Sequence, residues 1–202
     1  MMDSFSYKTI TAPVREILLK EKGSKFIGYA FSVSSDADFK EQLDHIKQLH
    51  PKATHHCYAY RMGKNGENYR ANDDGEPSGS AGLPIYNQLL AHDLTDILVV
   101  VVRYYGGTKL GVAGLIKAYK ETAKETLALA EVVIREEEFL LKISCGYDKQ
   151  SSVYTLINKF AGTIVSTEQT DKSVSVVSFR MAQKEDISAM LAEMPDLNFE
   201  FL

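Results

Sequence analysis

Residues Ile97–Gly114 read Ile-Leu-Val-Val-Val-Val-Arg-Tyr-Tyr-Gly-Gly-Thr-Lys-Leu-Gly-Val-Ala-Gly, and the fold turns on them. Ile97–Val102 is an unbroken apolar, mostly β-branched run, followed after Arg103-Tyr-Tyr105 by Gly106-Gly107. It is too short for a helix, and the lack of alternation predicts a strand buried on both faces. From Gly111 the period changes. Val112, Leu115, Ile116, Tyr119, Ala123 and Leu127 recur at spacings of three and four, predicting a helix to about Ala130. Lys117, Lys120, Glu121, Lys124 and Glu125 form its water-facing side. A strand that ends in glycines and opens a helix exposes several backbone N–H groups in one place, the usual means of gripping an anion with main chain.

A second glycine-rich stretch lies just upstream, Asn72-Asp-Asp-Gly-Glu-Pro-Ser-Gly-Ser-Ala-Gly-Leu-Pro84. It runs into another helix, from about Ser80 to Ala91, in which Pro84 is tolerable only near the first turn. The helix start then falls beside Asp73, Asp74 and Glu76. Carboxylates are stabilised at a helix N-terminus, so a capping role for Asp74 or Glu76 stands beside a functional one.

The candidate site joins the two stretches. Arg103 and Lys109 supply phosphate contacts, Gly106 and Gly107 backbone donors, and Tyr104 a ring for stacking on a base. Asp73, Asp74 and Glu76 would orient the cations or reject wrong ligands, and Ser78, Ser80 and His56 complete the candidate set. The alternative for the glycines is that they permit a tight turn and close packing.

Elsewhere strands are expected at Ser6–Ile10, Val14–Leu19, Lys25–Val33, Ala53–Arg61 and Asn68–Ala71, with a helix over Asp36–Leu49. Glu131-Val-Val-Ile-Arg-Glu-Glu-Glu138 marks a change of pattern. The acidic triplet reads as a solvated strand approach, and the boundary is placed near Arg135, giving domains 1–134 and 135–202. The second domain reads as strand, helix, strand, strand, helix, strand. Leu141, Ile143 and Cys145 alternate with polar neighbours, and Val153, Leu156, Ile157 and Phe160 form one helical face. Gly162 follows where a left-handed cap is expected. Strands at Thr163–Thr167 and Ser173–Met181, a helix carrying Ile187 and Leu191, and Leu197–Leu202 complete a ferredoxin-like β-α-β-β-α-β order. The fold class is α+β.

Composition sets bounds. The 202 residues are 45% hydrophobic and 25% charged, as in ordinary globular proteins. No run of about eighteen apolar residues exists to span a membrane. The N-terminal Met-Met-Asp-Ser-Phe-Ser-Tyr-Lys lacks the features of a signal peptide. Cys57 and Cys145 alone make no disulfide framework. A cytoplasmic protein without membrane partners is expected. Residues 1–134 hold 16 basic and 16 acidic residues, whereas residues 135–202 hold 7 and 11, so the net charge of −4 belongs to the second domain. Nucleic acid would therefore meet a local basic patch on the first domain, drawn from Lys20, Lys22, Lys25, Arg61, Lys64, Arg70, Arg103, Lys109 and Lys117.

Several motifs are incomplete. Gly106-Gly-Thr-Lys-Leu-Gly111 is followed by Val112 and Ala113, not Lys and Ser/Thr, so it is no Walker loop. It also lacks a dinucleotide fingerprint's acidic ribose reader. His55 and Cys57 fall on one strand face and His56 on the other, with no second Cys/His pair to complete zinc. Magnesium at Asp73, Asp74 and Glu76 is the alternative considered there. No metal or cofactor is assigned. A hydrolase built from His55 or His56, Asp73 or Asp74, and Ser78 or Ser80 lacks a nucleophile elbow, and no catalytic residue is assigned.

Three blocks, Thr54–Arg61, Asp73–Pro84 and Val101–Tyr119, together with Lys22-Gly-Ser-Lys-Phe-Ile-Gly28, closely resemble the bacterial YigZ proteins, relatives of eukaryotic IMPACT. The resemblance extends over essentially the whole sequence. Ser80 and Ala113 depart from the Thr and Gly frequent in relatives. The resemblance implies a first domain like the second domain of ribosomal small-subunit protein five. It also implies a ferredoxin-like second domain resembling one of elongation factor G. Eukaryotic IMPACT acts in translational control by binding a regulator of a stress kinase. Residues and resemblance together lead to the expectation of RNA or ribosome binding in translation regulation, through the glycine-rich loops. An enzyme acting on a phosphate-containing small molecule and a pure protein-binding module are the alternatives.

Overall fold

The computed structural model describes residues 5–202. The signal-peptide question concerns a segment whose first residues, 1–4, lie outside them. The fold is mixed α and β, in two compact units: Tyr7–Arg135, and Glu136–Leu202 with Phe5 and Ser6. Among the described residues no helix is long and apolar enough to cross a membrane.

In the first unit β2 (Val14–Glu21), β3 (Ser24–Ser32), β4 (His55–Met62), β5 (Asn68–Asn72) and β6 (Ile97–Tyr104) form a five-stranded sheet in the order β2-β3-β6-β4-β5. Each of its pairings is antiparallel. The apolar run of β6 is central, and every residue from Ile97 to Val102 has no exposed surface. Its alternate residues feed two cores. Leu98, Val100 and Val102 meet Tyr29, Phe31, Tyr58 and Tyr60 under α1 (Asp36–Leu49), which contributes Phe39, Leu43 and Ile46. Ile97, Val99 and Val101 meet Phe26, Cys57 and Ala59 under α2 (Gly82–Ala91) and α3 (Gly111–Ala128). A strand covered on both sides needs no polar face, which is why its sequence shows none.

The helices start where local chemistry supplies acceptors, or where it supplies none. Ser35 caps α1, its hydroxyl accepting from the Asp38 amide. The Asp73 carboxylate accepts from the amides of Gly79, Ala81 and Gly82 and so anchors the start of α2. At α3 Leu110 is the cap and offers no side-chain acceptor, and no acidic residue lies in the first turn. Gly111 enters α3 at φ +72°, a conformation that favours glycine.

Two short strands, β1 (Ser6–Ile10) and β7 (Val132–Glu136), pair in a separate sheet. Val132–Glu136 is thus itself a strand, beyond the solvated strand approach expected for the acidic triplet. Its partner lies more than a hundred residues away in sequence, which local pattern does not reveal.

The second unit contains β8 (Glu138–Cys145), α4 (Gln150–Lys159), β9 (Thr163–Gln169), β10 (Ser173–Arg180), α5 (Lys184–Ala192) and β11 (Asn198–Phe201). Strand order β11-β8-β10-β9, all antiparallel, gives the split β-α-β arrangement. Leu141, Ile143 and Val177 pack with Leu156, Ile157, Ile187 and Leu191 in its core. At the end of α4 the left-handed residue is Ala161, φ +50°, rather than Gly162. Gly162 answers a different need, since a Cβ there would stand 2.4 Å from the Phe179 ring.

Candidate functional site

β6 ends at Tyr104, and alternation turns Arg103 to the α2/α3 side. His55 is its cross-strand partner on β4. The Arg103 guanidinium is only 5% exposed. Its Nη1 donates to Glu76 Oε1 at 2.7 Å, and its Nη2 lies 3.4 Å from Ser24 Oγ. The Phe26 and Tyr105 rings lie 5.4 and 5.5 Å from its Cζ, a cation–π arrangement. Its Nε is buried, with no hydrogen-bond partner among the described residues.

Glu76 is buried as well, and its Oε1 also accepts from the Tyr119 hydroxyl at 2.8 Å. The Cys57 thiol donates to the Asp73 carbonyl and lies 3.3 Å from Tyr119 Oη. Burial pushes both the Cys57 thiol and the Tyr119 hydroxyl up, so both are neutral groups. A buried, protonated thiol is a poor nucleophile. His55 Nδ1 donates to the Asp74 carbonyl at 2.7 Å, leaving Nε2 3.8 Å from Glu76 Oε1.

Above this network lies a cavity of about 250 Å³. Glu76, Arg103, Tyr105, Lys109, Gly111 and Val112 are among its lining residues. It therefore brings together the Arg103 side chain, an exposed lysine and the uncapped first turn of α3. Each favours negative charge.

Of the residues singled out from sequence, Arg103, Lys109 and Glu76 meet at this cavity. The others do not. Asp73 is occupied by three amides at the start of α2. Asp74 accepts from the His56 amide at 2.6 Å through Oδ2. Each of the three carboxylates thus has donors of its own. Ser80 is buried and donates to the Pro77 carbonyl, and Ser78 is exposed away from the lining. His56 lies on the α1 side, donating from Nε2 to the His50 carbonyl.

Gly106 does not offer a free donor, because its amide donates to Ser24 Oγ at 3.1 Å. A Cβ at Gly106 would stand 1.9 Å from the Gly23 carbonyl carbon, so this glycine exists for close backbone packing. Gly107 has open space around it. Of the two tyrosines, Tyr104 is half-buried with its hydroxyl 2.9 Å from His50 Nδ1, and the exposed ring is Tyr105. Sequence reasoning missed Tyr119 as a site residue. Its one available signal was a phenol on the buried face of a helix, which requires a polar partner.

The Impact N-terminal domain model matches residues 22–127, which hold every residue of this cavity. An IMPACT family member of Haemophilus influenzae is 40% identical over 147 residues, 72% of this chain and 71% of its own. IMPACT family member YigZ of Escherichia coli is 31% identical over 186 residues, 90% of each chain. A crystal structure of a hypothetical protein, 28% identical, superposes with a TM-score of 0.77 over 98% of both chains.

Proposed function

This chain belongs to the IMPACT family, and from that premise we propose that it acts in translation by holding an RNA phosphate in the Arg103 cavity. The resemblance to eukaryotic IMPACT supports the translational setting, and the cavity supports an anionic ligand. The observation that carries this reading is the convergence of Arg103, Lys109 and the uncapped start of α3 on one cavity. Lys20, Lys22 and Lys25 on the β2–β3 hairpin extend the positive surface, because Gly106 packs directly on Gly23 of that turn.

The test is co-sedimentation with ribosomes and filter binding of single-stranded RNA, at low and moderate salt, comparing the protein with Lys109→Ala. Lys109 is exposed and makes no ion pair among the described residues, so its removal should leave the fold intact. The wild type should bind both, and the variant should bind more weakly with a salt slope lower by about 0.7–0.9. Absence of binding at either salt, or a variant with unchanged affinity and slope, would reject the proposal.

A further inference from the structure

On the other side of Tyr105 lies a second cavity, of about 420 Å³, lined by Gly23, Lys25, Ile27, His50, Tyr104 and Tyr105. Size separates the two. Small-molecule pockets run to roughly 300–1,000 Å³, so the Arg103 cavity is below that range and suits a compact anion. The second is large enough for a ring system. Tyr105 lines both, and its ring is 48% exposed.

The hydrogen-bond ledger of the second cavity leaves one donor unused. Tyr29 is fully buried, and among the described residues the single partner of its hydroxyl is His50 Nε2, at 2.6 Å. A buried O–H without an acceptor is costly, so Tyr29 must donate and Nε2 must accept. Neutral His50 therefore carries its proton on Nδ1, and that N–H donates to the Tyr104 hydroxyl oxygen at 2.9 Å. Burial lowers the His50 pKa, in keeping with a neutral ring. Tyr104 thus accepts from the protein, and its own O–H remains free. Tyr104 is half-buried and lines the cavity.

We propose that this second cavity, on the α1 side of the sheet, is a nucleobase pocket, and that a nucleotide passes over the sheet end at Tyr105 to set its phosphate in the Arg103 cavity on the α2/α3 side. The phosphate sits against Arg103, Lys109 and α3. The base lies against the exposed Tyr105 ring and Ile27, and presents a carbonyl to the free Tyr104 O–H. Lys25 at the rim faces the sugar-phosphate. The proposal rests on the phosphate reading above, and adds to it the class of group attached to that phosphate.

Titration calorimetry of the full chain with inorganic phosphate, UMP and a single-stranded oligouridylate tests this. UMP should bind roughly tenfold more tightly than phosphate, the contribution of one stacked base. Tyr104→Phe should weaken UMP about fivefold and leave phosphate unchanged, as expected for one neutral hydrogen bond. Tyr105→Leu, which keeps bulk but removes the ring, should also lower UMP toward the affinity of phosphate, and serves if Tyr104→Phe is poorly folded. Phosphate binding with no advantage for UMP, or an advantage that neither variant reduces, would overturn the base pocket and leave the anion site standing. No binding of any of the three would overturn both. Oligouridylate binding well above UMP assigns the pocket to a strand. Equal affinity would overturn the RNA reading and leave the pocket to a free nucleotide.

Discussion

Arg103 and Glu76 form a buried ion pair, 2.7 Å from Nη1 to Oε1, in which the guanidinium Nε has no acceptor among the described residues. Two opposite charges in low dielectric hold each other in place, and neither can be removed alone without leaving the other stranded.

Arg103→Ala and Glu76→Ala should each cost about 3–5 kcal/mol, since each leaves an uncompensated buried charge. The double variant should cost clearly less than the sum. Urea unfolding of the four proteins measures the coupling. Additive losses would mean that the pair does not act as a unit.

Neither thiol should react in the folded protein. Cys57 is 0% and Cys145 4% exposed, and burial pushes both pKa values up. Ellman's reagent at pH 8 should find no fast thiol in the native state and both after denaturation. Rapid native labelling of Cys57 would contradict its place beneath Tyr119 and Glu76.

The neighbouring glycines Gly106 and Gly107 should respond differently to the same change. Gly107→Ala strains a residue at φ +86° with open space around it, at a cost of about 1–2 kcal/mol. Gly106→Ala drives a methyl into the Gly23 backbone, which cannot step aside. Thermal melts should show Gly106→Ala as the more damaging by at least a factor of two. Equal losses would show that the two loops are not in contact.

Acid should loosen the α1 side of the sheet. His50 and His56 both have pKa values below the ordinary 6.5, held down first by burial. Unfolding frees each to take up a proton near pH 6.5, whereas the folded protein resists until lower pH. The stability contributed by the neutral rings is therefore complete above about pH 6.5 and lost as pH falls through the folded values. Melting temperature should drop from pH 7 to pH 5, and drop less in His50→Gln/His56→Gln. Parallel curves would assign the acid sensitivity to other groups.

The elements that position the site were legible because their signals are local. An unbroken Ile97–Val102 run, short and mostly β-branched, reads as a doubly covered strand, and the Leu115–Tyr119–Ala123 spacing as one helical face. Alternation alone separated His55 and Cys57 from His56. The partnerships were not legible. Asp73, Asp74 and Glu76 are equivalent as letters, yet one anchors a helix, one bends over β4 and one is buried against Arg103. Which carboxylate goes inside depends on where α3 delivers the Tyr119 hydroxyl, a distance of 43 residues in sequence. Gly106 read as a donor because its sequence neighbours suggest a phosphate loop. Only the approach of Gly23 shows that its amide is already used. His50 gave no signal, since a histidine at a helix end is ordinary until two tyrosines close on it.

Arg103 stands at the end of the most deeply covered strand of its unit, and that bears on the kinetics of recognition. Amide hydrogens along Ile97–Val102 should exchange only when the whole unit opens, the slowest class of exchange a domain shows. Arg103, the residue this strand contributes to the cavity, is therefore carried on backbone that rarely opens. An anion bound there as proposed would have to order the exposed Lys109 and Tyr105 side chains, at an entropy cost for each. Encounter should then proceed as docking onto a preformed surface, with affinity changes among variants expressed in the dissociation rate.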